Sequence, residues 1–418
     1  MKTLSVDPLT RVEGHGRVDL LLKKGQLVDA RIHLLESPRF FEKLIVGRHY
    51  SEVPELICRI CAICSSVHKL TALKALEKAF GLEIPPLAAS VRDLLLLGGH
   101  IQSHALHLFC LVLPDFYEGL SVFELLQRQD HLAQAGLELK ALGNDIQELA
   151  GGRVIHPVNP VPGGVVFRPD EEALINLLDR LNVWSERWPG LEESLLARAK
   201  FPHGAKCQGV CLATGGSQRF ELSGDKLWHA CQDEPLPVEN YGKLIGEVPV
   251  EESHAKQAMG RSGPFLVGAL ARLRLAADRK LGLNWQDTED NIHGNNIAQV
   301  FEIGWALKQT KGLILAILNA KDTSSLRLEQ IQVKAGIGTA AMEAPRGLLI
   351  HHYVVDEWGN IAVGDVVTPT AINQRLMRQQ IMADLSDITD ARQLTLGAEK
   401  IIRSFDPCIS CAVHVLHC

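Results

Sequence analysis

Residues 94–113 read LLLLGGHIQSHALHLFCLVL, 20 positions without an Asp, Glu, Lys or Arg, and how that stretch is used decides the fold. Its length is close to that of a membrane-spanning helix. Gly98, Gly99, His100, Gln102, Ser103, His104 and His107 interrupt it, however, and a helix buried on all sides in a large core has the same composition. We therefore expect a central core helix and no direct membrane span. Pro85-Pro86 would open that helix and Pro114 would end it.

Outward from this helix the pattern stays mostly helical. Tyr117 to Leu149 continues with helical spacing up to Gly151-Gly152, and Asp170 can begin a helix with Leu174, Leu177, Leu178 and Leu181 on one face. Helical periodicity returns from Asn291, and the last helices end at Phe405. Strands are fewer. Val18, Leu20 and Leu22 alternate before Lys23-Lys24-Gly25-Gln26, and Val28, Ala30, Ile32 and Leu34 alternate after it, which predicts a hairpin over 16–34. Between about Lys200 and Pro264 the pattern loosens into short strand-like, Gly-rich pieces, and 348–368 suggests strands around Trp358-Gly359-Asn360. No linker, repeat or low-complexity segment divides the chain. The expected fold is α+β and predominantly helical, a long central helix bundle with peripheral small sheets, in a single domain over 1–418.

Composition narrows the function classes. The 418 residues are 46% hydrophobic and 22% charged with a net charge of −6, the make-up of an ordinary globular protein. There is no run of five basic residues, and aromatics make up only 5%, so nucleic acid has neither a phosphate track nor a stacking platform. Behind Met1 and Lys2 no apolar run follows, so we expect no secretory signal and a cytoplasmic protein, unless a partner carries the signal for both. Ten cysteines in a chain of this length, three of them at Cys58, Cys61 and Cys64, read as thiols and metal ligands rather than disulfides.

Two cysteine pairs share a plan. One stands in Arg59-Ile60-Cys61-Ala62-Ile63-Cys64-Ser65-Ser66-Val67-His68, the other in Asp406-Pro407-Cys408-Ile409-Ser410-Cys411-Ala412-Val413-His414. A two-residue spacer lets both sulfurs of a pair reach one ion, and two pairs together complete a four-thiolate site. Zinc ribbons usually space their pairs by about 15–20 residues, far less than the separation here, but zinc can also be held by distant pairs. A thioredoxin-like redox pair lacks its βαβ surroundings. Thiolates also suit nickel, and a thiolate can bridge two metals, so four sulfurs can hold a binuclear centre. Spacing alone leaves zinc and nickel both open.

At these residues the chain resembles the large subunits of nickel-iron hydrogenases, whose signatures are Arg-x-Cys-Gly-x-Cys-x-x-x-His and Asp-Pro-Cys-x-x-Cys-x-x-His. The resemblance runs the length of the chain through Asp7-Pro8-Leu9-Thr10-Arg11-Val12-Glu13-Gly14-His15, Arg39-Phe40-Phe41-Glu42, His156-Pro157 with Gly163-Gly164, Glu343-Ala344-Pro345-Arg346-Gly347 and Pro369-Thr370-Ala371-Ile372-Asn373. It implies reversible splitting of H2. Cys61 and Cys408 would be terminal nickel ligands, and Cys64 and Cys411 would bridge nickel to an iron carrying carbon monoxide and cyanide. Glu13 would be the first proton relay, a role that burial helps by raising a carboxyl pKa. Arg346 would stand over the open face of the metals, fixed by Asp115 and Asp406. Pro345 and Thr370 would line the cyanide ligands, and His68 would hydrogen-bond a bridging sulfur. Glu42, the carbonyl of Val366 and His414 would hold a second ion, usually magnesium.

The resemblance also implies partners. No iron-sulfur motif occurs in this chain, so electrons would leave through an iron-sulfur small subunit. Motif details resemble the cytoplasmic bidirectional branch of the family, which adds subunits of nicotinamide, deazaflavin or disulfide reductase type. A maturation protease and nickel-insertion factors would act on the chain, and the four residues after His414 make an unusually short segment for removal. Ala62 departs from the family's Gly but is expected to be tolerated, and Cys58, Cys110, Cys207, Cys211 and Cys231 are expected to be buried free thiols. A hydrogen sensor and a structural zinc-thiolate protein are the competing readings. The related quinone-site subunit of respiratory complex I has lost the four cysteines that are present here.

Overall fold

A computed structural model describes residues 1–37, 40–117, 120–198, 204–216, 220–260, 263–278, 290–320 and 325–413. Three N-terminal strands, β1 (Lys2–Val6), β2 (Gly16–Lys23) and β3 (Gln26–Leu34), pair antiparallel in that order. The expected hairpin forms because Val18, Leu20 and Leu22 are buried on one face, and Lys24 and Gly25 adopt the positive φ that a tight turn needs. One part of the alternation fails. The register slips between Leu21 and Leu22, so that Leu27 is buried and Val28, expected inward, is 41% exposed. An extra residue on one strand reverses the phase beyond it.

Two short helices, α1 (Phe41–Ile45) and α2 (Val53–Ile57), lead into α3 (Ser65–Phe80). Pro86 then starts α4 (Pro86–Ala105) in its first turn, where a missing N–H leaves no bond unmade. The helical path does not stop before Pro114. Leu106–Val112 widens to a π-helical turn and Leu113–Phe116 tightens to a 3-10 turn, with Pro114 again in a first-turn position. Pro86–Phe116 is long and apolar enough to cross a membrane by length and composition, but 83% of its apolar window lies buried inside the protein. Residues 94–113 are thus a core helix.

Nor do residues 117–149 form one helix. Ser121 caps α5 (Val122–Gln127) in a reciprocal box with Glu124, and Asp130 accepts the first amides of α6 (His131–Gly151). Local capping divides what periodicity alone joins. α6 lies against α4 so closely that a Cβ on Gly143 would stand 2.5 Å from the Gln102 nitrogen.

The hairpin β4 (Pro160–Val161) and β5 (Gly164–Val165) precedes α7 (Glu171–Arg198), which buries Leu174, Leu177 and Leu181 as expected. The Gly-rich region supplies seven short strands: β6 (Val210–Gly215), β7 (Ser223–Gly224), β8 (Lys226–His229), β9 (Leu236–Pro237), β10 (Ile245–Val250), β11 (Ser253–Gly260) and β12 (Phe265–Leu266). After α8 (Ala269–Asp278) and α9 (Gly294–Leu318), the chain adds β13 (Gly336–Ala344), β14 (Gly347–Val355) and β15 (Ile361–Val367). These join β7 in a sheet of order β15-β14-β13-β7. It closes with α10 (Pro369–Leu385), α11 (Ala391–Ser404) and α12 (Ile409–Ala412).

Two packings position the site. α4 is the centre of a bundle with α6 and α9, while α3 lies against β13 and β14. The start of α3 therefore meets the two-residue turn Pro345-Arg346 that joins β13 to β14. The C-terminal segment then enters from the other side, where Glu13 and Cys408 form an isolated parallel bridge. Its fit depends on Gly14, at φ 85, where a Cβ would stand 2.8 Å from Cβ of Ile409. The last cysteine pair is in this way laid beside the N-terminal segment.

Candidate metal centre

Cys61 directly follows the 3-10 turn Cys58–Ile60 and takes an extended backbone conformation, and Cys64 is the cap residue of α3. Cys408 precedes α12 and Cys411 lies within it. All four are buried, and their sulfurs lie within 4.8 Å of one another. Cys408 Sγ is 3.4 Å from Cys61, 3.9 Å from Cys64 and 2.7 Å from Cys411. Four thiolates on one ion, at metal–sulfur bonds of about 2.3 Å in tetrahedral array, stand roughly 3.8 Å apart. The cluster therefore fits a thiophilic metal on donor type and spacing, although this spacing does not itself distinguish nickel from zinc. Hydrogen bonds from Cys408 and Cys411 hold the Cys61 and Cys64 thiols below their ordinary range, while burial pushes Cys408 and Cys411 well above it. Four crowded thiols cannot all ionise without a cation among them.

Cys58 is separated from this group despite its spacing in sequence. Its sulfur donates to the Glu55 carbonyl at 3.3 Å, and burial pushes its thiol up to about 11. Cys110, Cys207 and Cys211 are likewise buried free thiols, but Cys231 is exposed, contrary to expectation, in the turn just beyond β8. Ala62 is not among the residues with positive φ, so its methyl group carries no backbone penalty.

Glu13 faces the cluster. Its Oε1 is 3.8 Å from Cys61 Sγ and its Oε2 accepts the Ser410 amide at 3.1 Å. Burial, then the neighbouring Cys61, raise its pKa. Arg346 is fully inside, with its NH1 group donating to Cys64 Sγ at 3.4 Å and to Ser103 Oγ at 3.1 Å. Its Nε is 3.2 Å from Asp406 Oδ1, a charge contact without a well-aligned hydrogen bond. Asp406, at the left-handed φ of 49, is oriented in turn by Gln299 Nε2 at 2.9 Å. Burial works against its charge, yet the Arg346 guanidinium holds its carboxyl below the usual range.

Asp115 does not share that role. It bonds Arg11 and Arg403, each at 2.5 Å, and not Arg346. Two other guanidinium groups occupy its two oxygens, Arg11 on Oδ1 and Arg403 on Oδ2, and Arg403 also bonds the Thr10 carbonyl. Thr370 Oγ1 accepts the Cys408 amide at 2.8 Å, which ties α10 to the second cysteine pair. The carbonyl of the buried Pro345 accepts from Arg272 at 3.1 Å. His68 Nδ1 stands 3.2 Å from His351 Nε2.

Glu42 lies beside Val366, but through the amide rather than the carbonyl, its Oε1 accepting the Val366 N–H at 2.9 Å. Glu42, Glu247 and Asp365 form a second group of carboxylates within 4.8 Å of one another. Lys256 Nζ sits among them at 2.9, 3.3 and 3.5 Å. Three carboxylates against one ammonium leave a net negative charge, and burial pushes Glu247 up to about 7. Oxygen donors of this kind suit a hard divalent ion. His414 and the four residues after it lie outside the described residues.

Sequence reasoning missed the polar network beneath the site. Arg272 pairs with Glu302 at 2.7 Å and with Glu343 at 2.9 Å, and His104 Nε2 meets Glu302 at 2.8 Å, all buried. Ser103 and His104 were visible as the polar breaks in the uncharged helix; nothing marked Arg272 or Glu302 apart from ordinary surface charges.

Comparison with known proteins selects the metal. The nickel-dependent hydrogenase family matches residues 39–141 and 281–414, and a HoxL-like family matches 3–37. The chain belongs to the nickel-dependent hydrogenases, as a large subunit that carries the four-cysteine site. It is 36% identical to the alpha subunit of sulfhydrogenase 2 from Pyrococcus furiosus, over 98% of each chain. It is 30% identical to a subunit of the vhu F420-non-reducing hydrogenase from Methanocaldococcus jannaschii, over 91% of this chain and 98% of that one. Among solved structures, a NAD+-reducing [NiFe]-hydrogenase in its H2-reduced state superposes with a TM-score of 0.86 at 30% identity, over 99% of this chain and 100% of the other.

Proposed function

We propose that this large subunit oxidises and forms H2 reversibly at a nickel-iron centre, with Cys61 and Cys408 as terminal ligands of nickel and Cys64 and Cys411 shared with an iron that carries carbon monoxide and cyanide. The observation that supports it best is the contact of Glu13 with both halves of the cluster, through the Cys61 sulfur and the Ser410 amide. The bound metals would supply the electron acceptor for heterolysis. The chain's own groups handle the proton. Glu13, its carboxyl pKa raised by burial, takes a proton at the Cys61 side, while the Ser410 amide fixes the carboxylate in place. Arg346 keeps a positive charge beside Cys64, held by Asp406 and Ser103. Thr370 and Pro345 would flank the cyanide ligands.

A divalent ion, magnesium by donor type, is assigned to Glu42, the carbonyl of Val366 and His414. In an edge strand the amide and carbonyl of one residue leave on the same side, and the Val366 amide already points at Glu42. Electrons would pass to an iron-sulfur small subunit, then onward to nicotinamide or a similar acceptor, in a cytoplasmic complex. The NAD+-reducing activity named for the superposed structure supports that reading.

The test is H2/D2O exchange by the purified complex. Glu13→Gln should cut exchange by about 100-fold or more with nickel content unchanged; exchange at the wild-type rate would remove Glu13 from the mechanism.

A further inference from the structure

Beneath the turn that carries Arg346 lies a second buried arginine that the proton chemistry does not touch. Pro345 and Arg346 are the turn residues between β13 and β14, so the root of the Arg346 side chain is only as fixed as that turn. The turn is seated on the start of α8. A Cβ on Gly347, at φ 130, would stand 2.7 Å from the Gly268 nitrogen, an approach of backbone to backbone that only glycine allows. Arg272 follows Gly268 by one helical turn, its amide bonded to the Gly268 carbonyl at 3.0 Å.

Every N–H of the buried Arg272 guanidinium has an acceptor. Nε and NH2 donate to the two oxygens of Glu302, each at 2.7 Å, and NH1 donates to Glu343 Oε2 at 2.9 Å. The remaining hydrogens go to the carbonyls of Ala344 and Pro345, each at 3.1 Å. These are the two residues that lead into Arg346. Stability does not explain the arrangement, because burying charges forfeits their hydration and apolar side chains of like volume often serve a core at least as well. Geometry does explain it. One rigid plane bonds two carboxylates and two successive carbonyls at once, which an ammonium cannot do.

We propose that Arg272 is a positioning residue: anchored on Glu302, it clamps the carbonyls of Ala344 and Pro345 and so sets where Arg346 stands beside Cys64. The head of Arg346 is held by Ser103 and Asp406. Its root is held by Arg272, and both ends must be fixed for the NH1 group to stay 3.4 Å from Cys64 Sγ. A displacement of the turn by about 1 Å can cost on the order of 100-fold in rate. The clamp's effect on turnover rests on the role proposed above for Arg346, while its effect on the turn does not.

A double-mutant cycle on the purified hydrogenase complex separates positioning from support of the fold. Arg272→Lys, which keeps the buried positive charge, should lower H2 oxidation by about 10- to 100-fold at unchanged nickel content. In the Arg346→Lys background the same change should cost less than about 2-fold, because the group it positions is already gone. An equal loss in both backgrounds, or wild-type turnover in Arg272→Lys, would overturn the proposal. Should Arg272→Lys fail to assemble, Glu302→Gln leaves Arg272 in place but splits its anchor, and the same two outcomes decide. A crystal structure of the variant complex reads the clamp without turnover: the Pro345-Arg346 turn should shift and Arg346 should leave Cys64, and a turn in its original place would contradict the clamp. Wild-type turnover in Arg346→Lys alone would count against the role of Arg346 instead, and the position of the turn would still decide the clamp.

Discussion

Glu343 carries more buried charge around it than its one cation can balance. Arg272 must serve both Glu343 and Glu302, and His104 already leans on Glu302. Burial pushes Glu343 up to about 7 from an ordinary 4.5. As pH rises the unfolded chain gives up this proton first. The stability contributed by neutral Glu343 is therefore full below about 4.5 and is lost as pH climbs through about 7. Glu343→Gln should remove a loss on the order of 1–3 kcal/mol across that window, read as a flatter dependence of Tm on pH; an unchanged slope would show that Glu343 ionises normally. Arg346→Lys is the complementary case. A Lys ammonium cannot contact Cys64, Ser103 and Asp406 from one planar group. Turnover should fall by about 100-fold or more with the fold and nickel content intact, and wild-type turnover would sink the role assigned to the guanidinium. The sequence named Arg346 and Asp406 as a pair and the structure brings them together. It named Asp115 as well and was misled, because nothing in a motif says which of Arg11, Arg346 and Arg403 a carboxylate will meet.

Elements were most legible where periodicity and end signals agreed. α7 and the β2–β3 turn agree with their apolar spacing and turn residues, since each is decided by groups adjacent in the chain. Val28 and residues 117–130 were misread because a bulge and two helix caps are single-residue events that interrupt a pattern without altering its average. The long helix from Pro86 shows the same limit, since its π-helical turn at Leu106–Val112 leaves no mark in composition. Its contact with α6 offers a test. Gly143→Ala would gain up to about 1 kcal/mol in helix propensity, but the new Cβ would meet backbone of Gln102 at 2.5 and 2.8 Å. Overpacking of that kind costs about 1–3 kcal/mol, so the variant should melt lower; a rise in Tm would show that α4 and α6 can part.

Across the whole molecule the decisive contact joins positions nearly 400 residues apart, such as the Ser410 amide on the Glu13 carboxylate. Long-range closure of this kind is invisible to spacing, and for that reason the cysteine motifs by themselves left zinc and nickel undecided. What the fold adds is the set of groups around the sulfurs: a buried carboxyl on one side, a buried guanidinium on the other, and α3 packed against β13 and β14 to hold them in place. A structural zinc site needs neither group. Metal analysis of the purified complex, together with its infrared spectrum, tests this most directly. One nickel per large subunit, with iron in excess of nickel because the small subunit carries iron-sulfur clusters, and bands from iron-bound carbon monoxide and cyanide are expected; zinc in the four-cysteine site with no such bands would contradict the account.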